Sequence, residues 1–275
     1  MGLGQVGSLQ DFIRVASKHG FQAIDVDGKE ILDMVQTMGV QSALDFLAQH
    51  DMRIGSFGLP VEWQHTTEQF QQSLTDLAIF ADAAAKIGCT VCCTYILPST
   101  DYDSASFMVI ATSRLRTCAE ILGAYGISLG LEFVGPHHLR TQWKNPFIWT
   151  MEDTLTWIDA IDKKNVGLLL DAYHWYTTES TLQDLLQLHA SQVVHVHVND
   201  APNTPISAVL DNDRLYPLEG VIDLAGFLRA LDTIGYQGVV AQEVLRLTPP
   251  QESLEELLTN SEKAFTAMFE KAGLA

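Results

Sequence analysis

Val193-Val-His195-Val-His197-Val198 alternates, so Val193, His195 and His197 point to one side of an extended strand and Val194, Val196 and Val198 to the other. The neighbouring run Val166-Gly167-Leu-Leu169-Leu-Asp171 repeats the arrangement, with Gly167, Leu169 and Asp171 on one face. Upstream, Ser128, Gly130 and Glu132 share a face, and downstream so do Val239, Ala241 and Glu243. Four successive strands thus carry small or aliphatic residues on one side and end in a polar residue. That is how the interior of a parallel barrel reads when chemistry sits at its C-terminal rim.

Working outward, further strands are expected at Ala23–Asp27, Arg53–Phe57 and Thr90–Ile96, with the four above at Ser128–Val134, Val166–Asp171, Val193–Val198 and Gly238–Glu243. Between them apolar residues recur at helical spacing, as in Leu9, Phe12, Ile13 and Ala16. Lys18-His-Gly20-Phe, Lys86-Ile-Gly88-Cys, Ala124-Tyr-Gly126-Ile and Thr233-Ile-Gly235-Tyr repeat one helix-to-strand junction. The expected fold is α/β, a (β/α)8 TIM barrel filling residues 1–275 as a single domain. Its first strand has only Met1–Gly7 to draw on, so it is short or missing at the N-terminus.

With 16 Lys plus Arg against 34 Asp plus Glu, the formal net charge is −18. This opposes nucleic-acid binding and an anionic membrane surface, both of which reward clustered cations. No apolar run approaches the ~20 residues of a bilayer span. Cys89, Cys92, Cys93 and Cys118 are too few and too bunched for a disulfide framework, and the expectation is a reduced, cytoplasmic setting. Homo-oligomerisation is left open.

Glu132, Asp171, His197 and Glu243 come from four different strands and form a mixed oxygen/nitrogen set suited to one divalent ion, Mn²⁺, Mg²⁺, Co²⁺ or Zn²⁺. Taken singly, a strand-end carboxylate also reads as a helix N-cap. An ion there would acidify a carbon-bound proton beside a carbonyl. One carboxylate then removes that proton and another returns it through an ene-diolate.

Gly130-Leu-Glu132-Phe-Val-Gly-Pro136, Leu169-Leu-Asp171-Ala-Tyr-His174, His195-Val-His197-Val-Asn-Asp200 and Ala241-Gln-Glu243-Val244 resemble the xylose isomerase-like sugar phosphate isomerase/epimerase superfamily. The resemblance runs from about residue 8 to 270. It implies a barrel binding one divalent metal through Glu132, Asp171, His197 and Glu243, with Glu132 and Glu243 as the catalytic acid/base pair. It implies a small sugar, ketose or sugar phosphate as substrate and places His174 on substrate oxygens. Two positions depart from the ketose epimerases: Asn203 stands where an arginine is expected, and His138 where a glutamate is. His138 and Arg214, the latter on the long loop Asn199–Val221, complete the candidate substrate contacts, and Arg214 and Arg246 are forks able to hold a phosphate or carboxylate. Trp143, Trp149, Tyr173 and Trp175 are rim aromatics that either stack on substrate or pack beneath the loops.

Three other readings stay open. The same proton chemistry expels a β-hydroxyl in a dehydratase acting on a cyclic polyol ketone, inosose- or dehydroshikimate-like. A non-catalytic sugar-binding protein keeps the site without turnover. Gly2-Leu-Gly4-Gln-Val-Gly7, with Asp27 further on, matches a dinucleotide fingerprint and gives an NAD-dependent oxidoreductase.

Overall fold

The computed structural model describes residues 7–275. Seven parallel strands follow one another in sequence and in space: β1 (Ala23–Val26), β2 (Arg53–Gly58), β3 (Val91–Ile96), β4 (Ser128–Phe133), β5 (Val166–Asp171), β6 (Val193–Val198) and β7 (Val240–Gln242). All seven expected strands are present, the last shorter than expected at both ends. Helices link them, from Leu9–Lys18 to Leu254–Ala272, and cover the outside of the sheet. This is a nearly closed barrel of the TIM type.

The four junction glycines, Gly20, Gly88, Gly126 and Gly235, all have φ between 71° and 80°. Side chains rarely tolerate that region, so glycine there lets each helix stop and the next segment turn into the sheet. Side-chain caps fix the helix starts: Thr66 and Ser253 each accept from the third residue of the following helix.

β1 and β7 lie side by side without pairing. A groove of about 360 Å³ lined by Phe12, Ile24, Val240, Leu258 and Phe265 separates them. The expected first strand falls in Met1–Gly7, of which residues 1–6 lie outside the described residues. So does most of the dinucleotide fingerprint. Asp27, its expected ribose partner, caps the helix Gly28–Met38, its carboxylate accepting from the Lys29 amide at 2.8 Å. Among the described residues no helix is long and apolar enough to cross a membrane.

Register carries the site. Asp171 on β5 lies opposite His197 on β6, which lies opposite Ala241 on β7. One layer deeper, Leu169 pairs with His195. Cys89, Cys92 and Cys118 are buried free thiols. Burial pushes Cys89 up to about 11 and Cys118 to about 12, so these are packing residues.

Gly167 allows β5 and β6 to approach closely, because a Cβ there would meet the Gln192 carbonyl oxygen at 2.7 Å and Val194 Cγ2 at 2.8 Å. Gly167→Ala is therefore expected to lower unfolding free energy by about 1–3 kcal/mol. Urea denaturation checks it, and an unchanged midpoint would contradict the tight contact.

Candidate metal centre

The barrel brings Glu132, Asp171, His197 and Glu243 together at its C-terminal mouth, with one potential ligand atom from each lying within 4.8 Å of the others. His197 Nδ1 stands 3.7 Å from Glu132 Oε1, 3.8 Å from Asp171 Oδ2 and 3.6 Å from Glu243 Oε2. Donors about 2.0–2.2 Å from a common ion need spacings a little shorter than these. Glu132 Oε1 and His197 Nδ1 are buried and have no hydrogen-bond partner among the described residues. Two orphaned ligand atoms facing each other are what a cation would satisfy, so the residues present fit a divalent ion.

Asp171 serves both of its sequence readings. Its Oδ1 caps the helix Ala172–Thr177 by accepting from the Tyr173 amide at 2.6 Å, while Oδ2 faces the cluster. Glu243 lies just past β7, and its amide extends the ladder by donating to the Val198 carbonyl at 3.1 Å.

Three supporting residues had no signal in the sequence. Asp25, at the end of β1, reaches across the barrel: its Oδ2 lies 2.8 Å from His195 Nε2 and 3.3 Å from His197 Nε2. With Nε2 turned to Asp25, Nδ1 of His197 is left to face the carboxylates. His195 is thus a buried histidine one layer beneath the site, bonded to Asp25. Asn199 donates to both oxygens of Asp171, at 3.2 and 3.1 Å, and to the Glu243 carbonyl at 3.1 Å. Asp211, on the loop after β6, pairs with Arg214.

The electrostatics are those of crowded acids around few cations. Burial pushes the Glu132 carboxyl above the usual range, opposed by the nearby His197 ring and reinforced by Glu243 and Asp171. Burial also acts to raise Glu243, but His197 and Arg214 outweigh it and hold that carboxyl well below the usual range. For His197 burial favours the neutral ring, yet the Glu243 charge, the bond to Asp25 and the nearby Glu132 carboxylate raise it well above 6.5.

His174 is buried beside the cluster. The Gly135 amide donates to its Nδ1 at 3.2 Å, which leaves Nε2 protonated and aimed into the site, 3.9 Å from Glu132 Oε1. Arg214 is also there, but its guanidinium is wrapped in carboxylates rather than held open. Arg246 is elsewhere, stacked over Tyr216 and 3.6 Å from Glu252. His138 lies on the short helix His137–Arg140, its Nδ1 buried without a partner among the described residues, and no hydrogen bond or ion pair joins it to Glu132, Asp171, His197 or Glu243. Tyr173 and Trp175 pack beneath the loops, and Trp149 lies against Arg140.

The sequence pattern of the xylose isomerase-like TIM barrel family matches residues 13–263. An inosose isomerase of Bacillus velezensis is 21% identical over 267 residues, covering 96% of this chain and 93% of that protein. A xylose isomerase domain protein from Alicyclobacillus acidocaldarius superposes with a TM-score of 0.90 at 31% identity, over 98% of this chain and 96% of the other. The IolI protein, whose crystal structure holds a zinc atom, superposes with a TM-score of 0.80 at 21% identity, over 97% and 94% of the two chains.

Asp25→Asn keeps the shape but weakens the hold on the His197 ring, so divalent-metal affinity should fall about 10- to 100-fold. Calorimetric titration with Zn²⁺ or Mn²⁺ checks this; unchanged affinity would remove Asp25 from the site. The proton on His197 must leave before Nδ1 can bind an ion. Because that proton is held more tightly than on a free imidazole, affinity should rise as pH increases above 6.5 in the parent protein, and much less in His197→Gln.

Proposed function

Because the chain belongs to the xylose isomerase-like TIM barrel family, we propose that it is a divalent-metal-dependent isomerase or epimerase of a small polyhydroxylated ketone or sugar, working by proton transfer through an ene-diolate. The observation that carries this reading is the pair Glu132 and Glu243. They stand on β4 and just past β7, with β5 and β6 between them, and converge on one point from different sides of the mouth.

Glu132, Asp171, His197 and Glu243 would hold the ion. Once bound, the ion would polarise a substrate carbonyl and its neighbouring hydroxyl, lowering the cost of removing the proton between them. One glutamate takes that proton and the other returns one, to the opposite face of the carbon for epimerisation or to the adjacent carbon for isomerisation. His174 Nε2–H donates to a substrate oxygen, its direction fixed by the Gly135 amide on the other ring nitrogen. Arg214 Nη1 bonds Asp171 Oδ2 at 3.0 Å and Glu243 Oε2 at 2.8 Å, holding both carboxylates in place. The inosose isomerase relative supports a small cyclic or open-chain polyol ketone as the substrate class.

In D₂O with added Mn²⁺, the protein should place deuterium on the carbon next to the carbonyl of a ketose or inosose, read by NMR. Glu132→Gln and Glu243→Gln should each cut that exchange by about 10²- to 10⁴-fold. Metal content measured alongside separates loss of the ion from loss of the proton carrier. Loss of water from the substrate in place of exchange would replace the isomerase reading with a dehydratase.

A further inference from the structure

We infer that the rim accepts an uncharged polyhydroxylated ketone and turns away phosphorylated and carboxylated sugars; this rests on the isomerase reading above and narrows its substrate. The argument begins with the donors of Arg214, whose side chain is 1% exposed. A guanidinium has five N–H groups. Nε donates to the Asp211 carbonyl at 2.9 Å, Nη1 to Asp171 Oδ2 at 3.0 Å and Glu243 Oε2 at 2.8 Å, and Nη2 to Asp211 Oδ1 at 2.8 Å. The fifth points toward His174 Nε2 at 3.3 Å, N–H against N–H, and forms no bond there. Four of the five donors are already taken by Asp171, Glu243 and Asp211, so no pair of donors is left to clasp a phosphate or carboxylate, which corrects the sequence expectation for Arg214.

Other cations of the rim loops are engaged too. Arg140 donates to the Gly135 and Thr177 carbonyls at 2.6 and 2.8 Å, and its guanidinium carbon lies 3.6 Å from the centre of the Trp149 ring. Arg246 faces Glu252, and Lys29 pairs with Asp33. Lys144 is exposed, where a single ammonium is worth little.

The charge count agrees. Glu132, Asp171, Glu243, Asp211 and Asp25 face one guanidinium. A divalent ion would still leave two negative charges uncompensated, inside a chain of net charge −18. Lone pairs dominate what the site presents. Glu132, Glu243 and Asp211 offer acceptors, and His174 Nε2–H is the donor turned inward. Hydroxyl groups suit that lining, because each brings a proton to donate and a lone pair to accept. A phosphate dianion or carboxylate brings acceptors alone, and acceptor against acceptor in a buried site is costly.

The test uses the whole protein with and without Mn²⁺. It compares a panel of uncharged ketones, D-fructose and an inosose among them, with D-fructose 6-phosphate and a keto-acid sugar. Binding is read by calorimetry and deuterium exchange by NMR. Uncharged ketones should bind about 100-fold more tightly than the anionic ones. Asp211→Asn, which removes a negative charge and weakens the hold on one Arg214 donor, should narrow that ratio about tenfold. Equal or tighter binding of the phosphate ester, no binding by any uncharged ketone, or an unchanged ratio in Asp211→Asn would overturn the inference. Binding of uncharged ketones without exchange would uphold it and overturn the isomerase reading instead.

Discussion

Like charges at the barrel mouth set the terms for everything around them. Glu132, Asp171 and Glu243 crowd within a few Å of one another in a largely buried pocket, with Asp25 below and Asp211 above. Such a group cannot be buried without compensation, since each ionised carboxylate loses several kcal/mol of hydration. Two groups provide it. Arg214 spans Asp171, Glu243 and Asp211, and His197 presents one ring nitrogen to Asp25 and the other to the remaining acids.

Placing Arg214 there explains the construction of the loop Asn199–Val221. Asp200 Oδ1 accepts from the Ala201 amide at 2.9 Å and the Ile222 amide at 2.8 Å, tying the two ends of the loop together. An antiparallel bridge between Asp200 and Leu215 then fixes the residue beside Arg214. Tyr173, buried beneath, offers its ring 4.8 Å from the guanidinium carbon. The loop is long because it must climb from β6, fold over the mouth and return to the helix Leu224–Thr233 while carrying one cation inward.

The parts of this design set by short-range periodicity could be read from the chain alone. Alternation on β4 to β6 showed which residues share the barrel interior, and Gly20, Gly88, Gly126 and Gly235 marked where helices give way to strands. What the chain concealed depends on distance across the barrel. Asp25 is 170 positions from His195, and nothing local separates it from Asp27, which serves only to cap a helix. Arg214 carried the right chemistry but an ambiguous direction: a bidentate fork suits a substrate anion and a protein carboxylate equally, and only the number of acids around it decides. Asp211 sits on an irregular turn, where no period exists to read.

The arrangement that favours a cation also determines what else can enter. An imidazole held by Asp25 and three carboxylates from separate strands offer a hard or borderline ion a nearly complete set of donors. Charge left over once that ion is counted repels any anion that follows it. Arg214, the one buried guanidinium within reach among the described residues, is occupied in keeping those same carboxylates together. Metal affinity and substrate charge are therefore not independent properties of this site. Adding a cation to recruit a phosphate would compete with the ion, and removing an acid to admit one would strip a ligand or release Arg214 from its position.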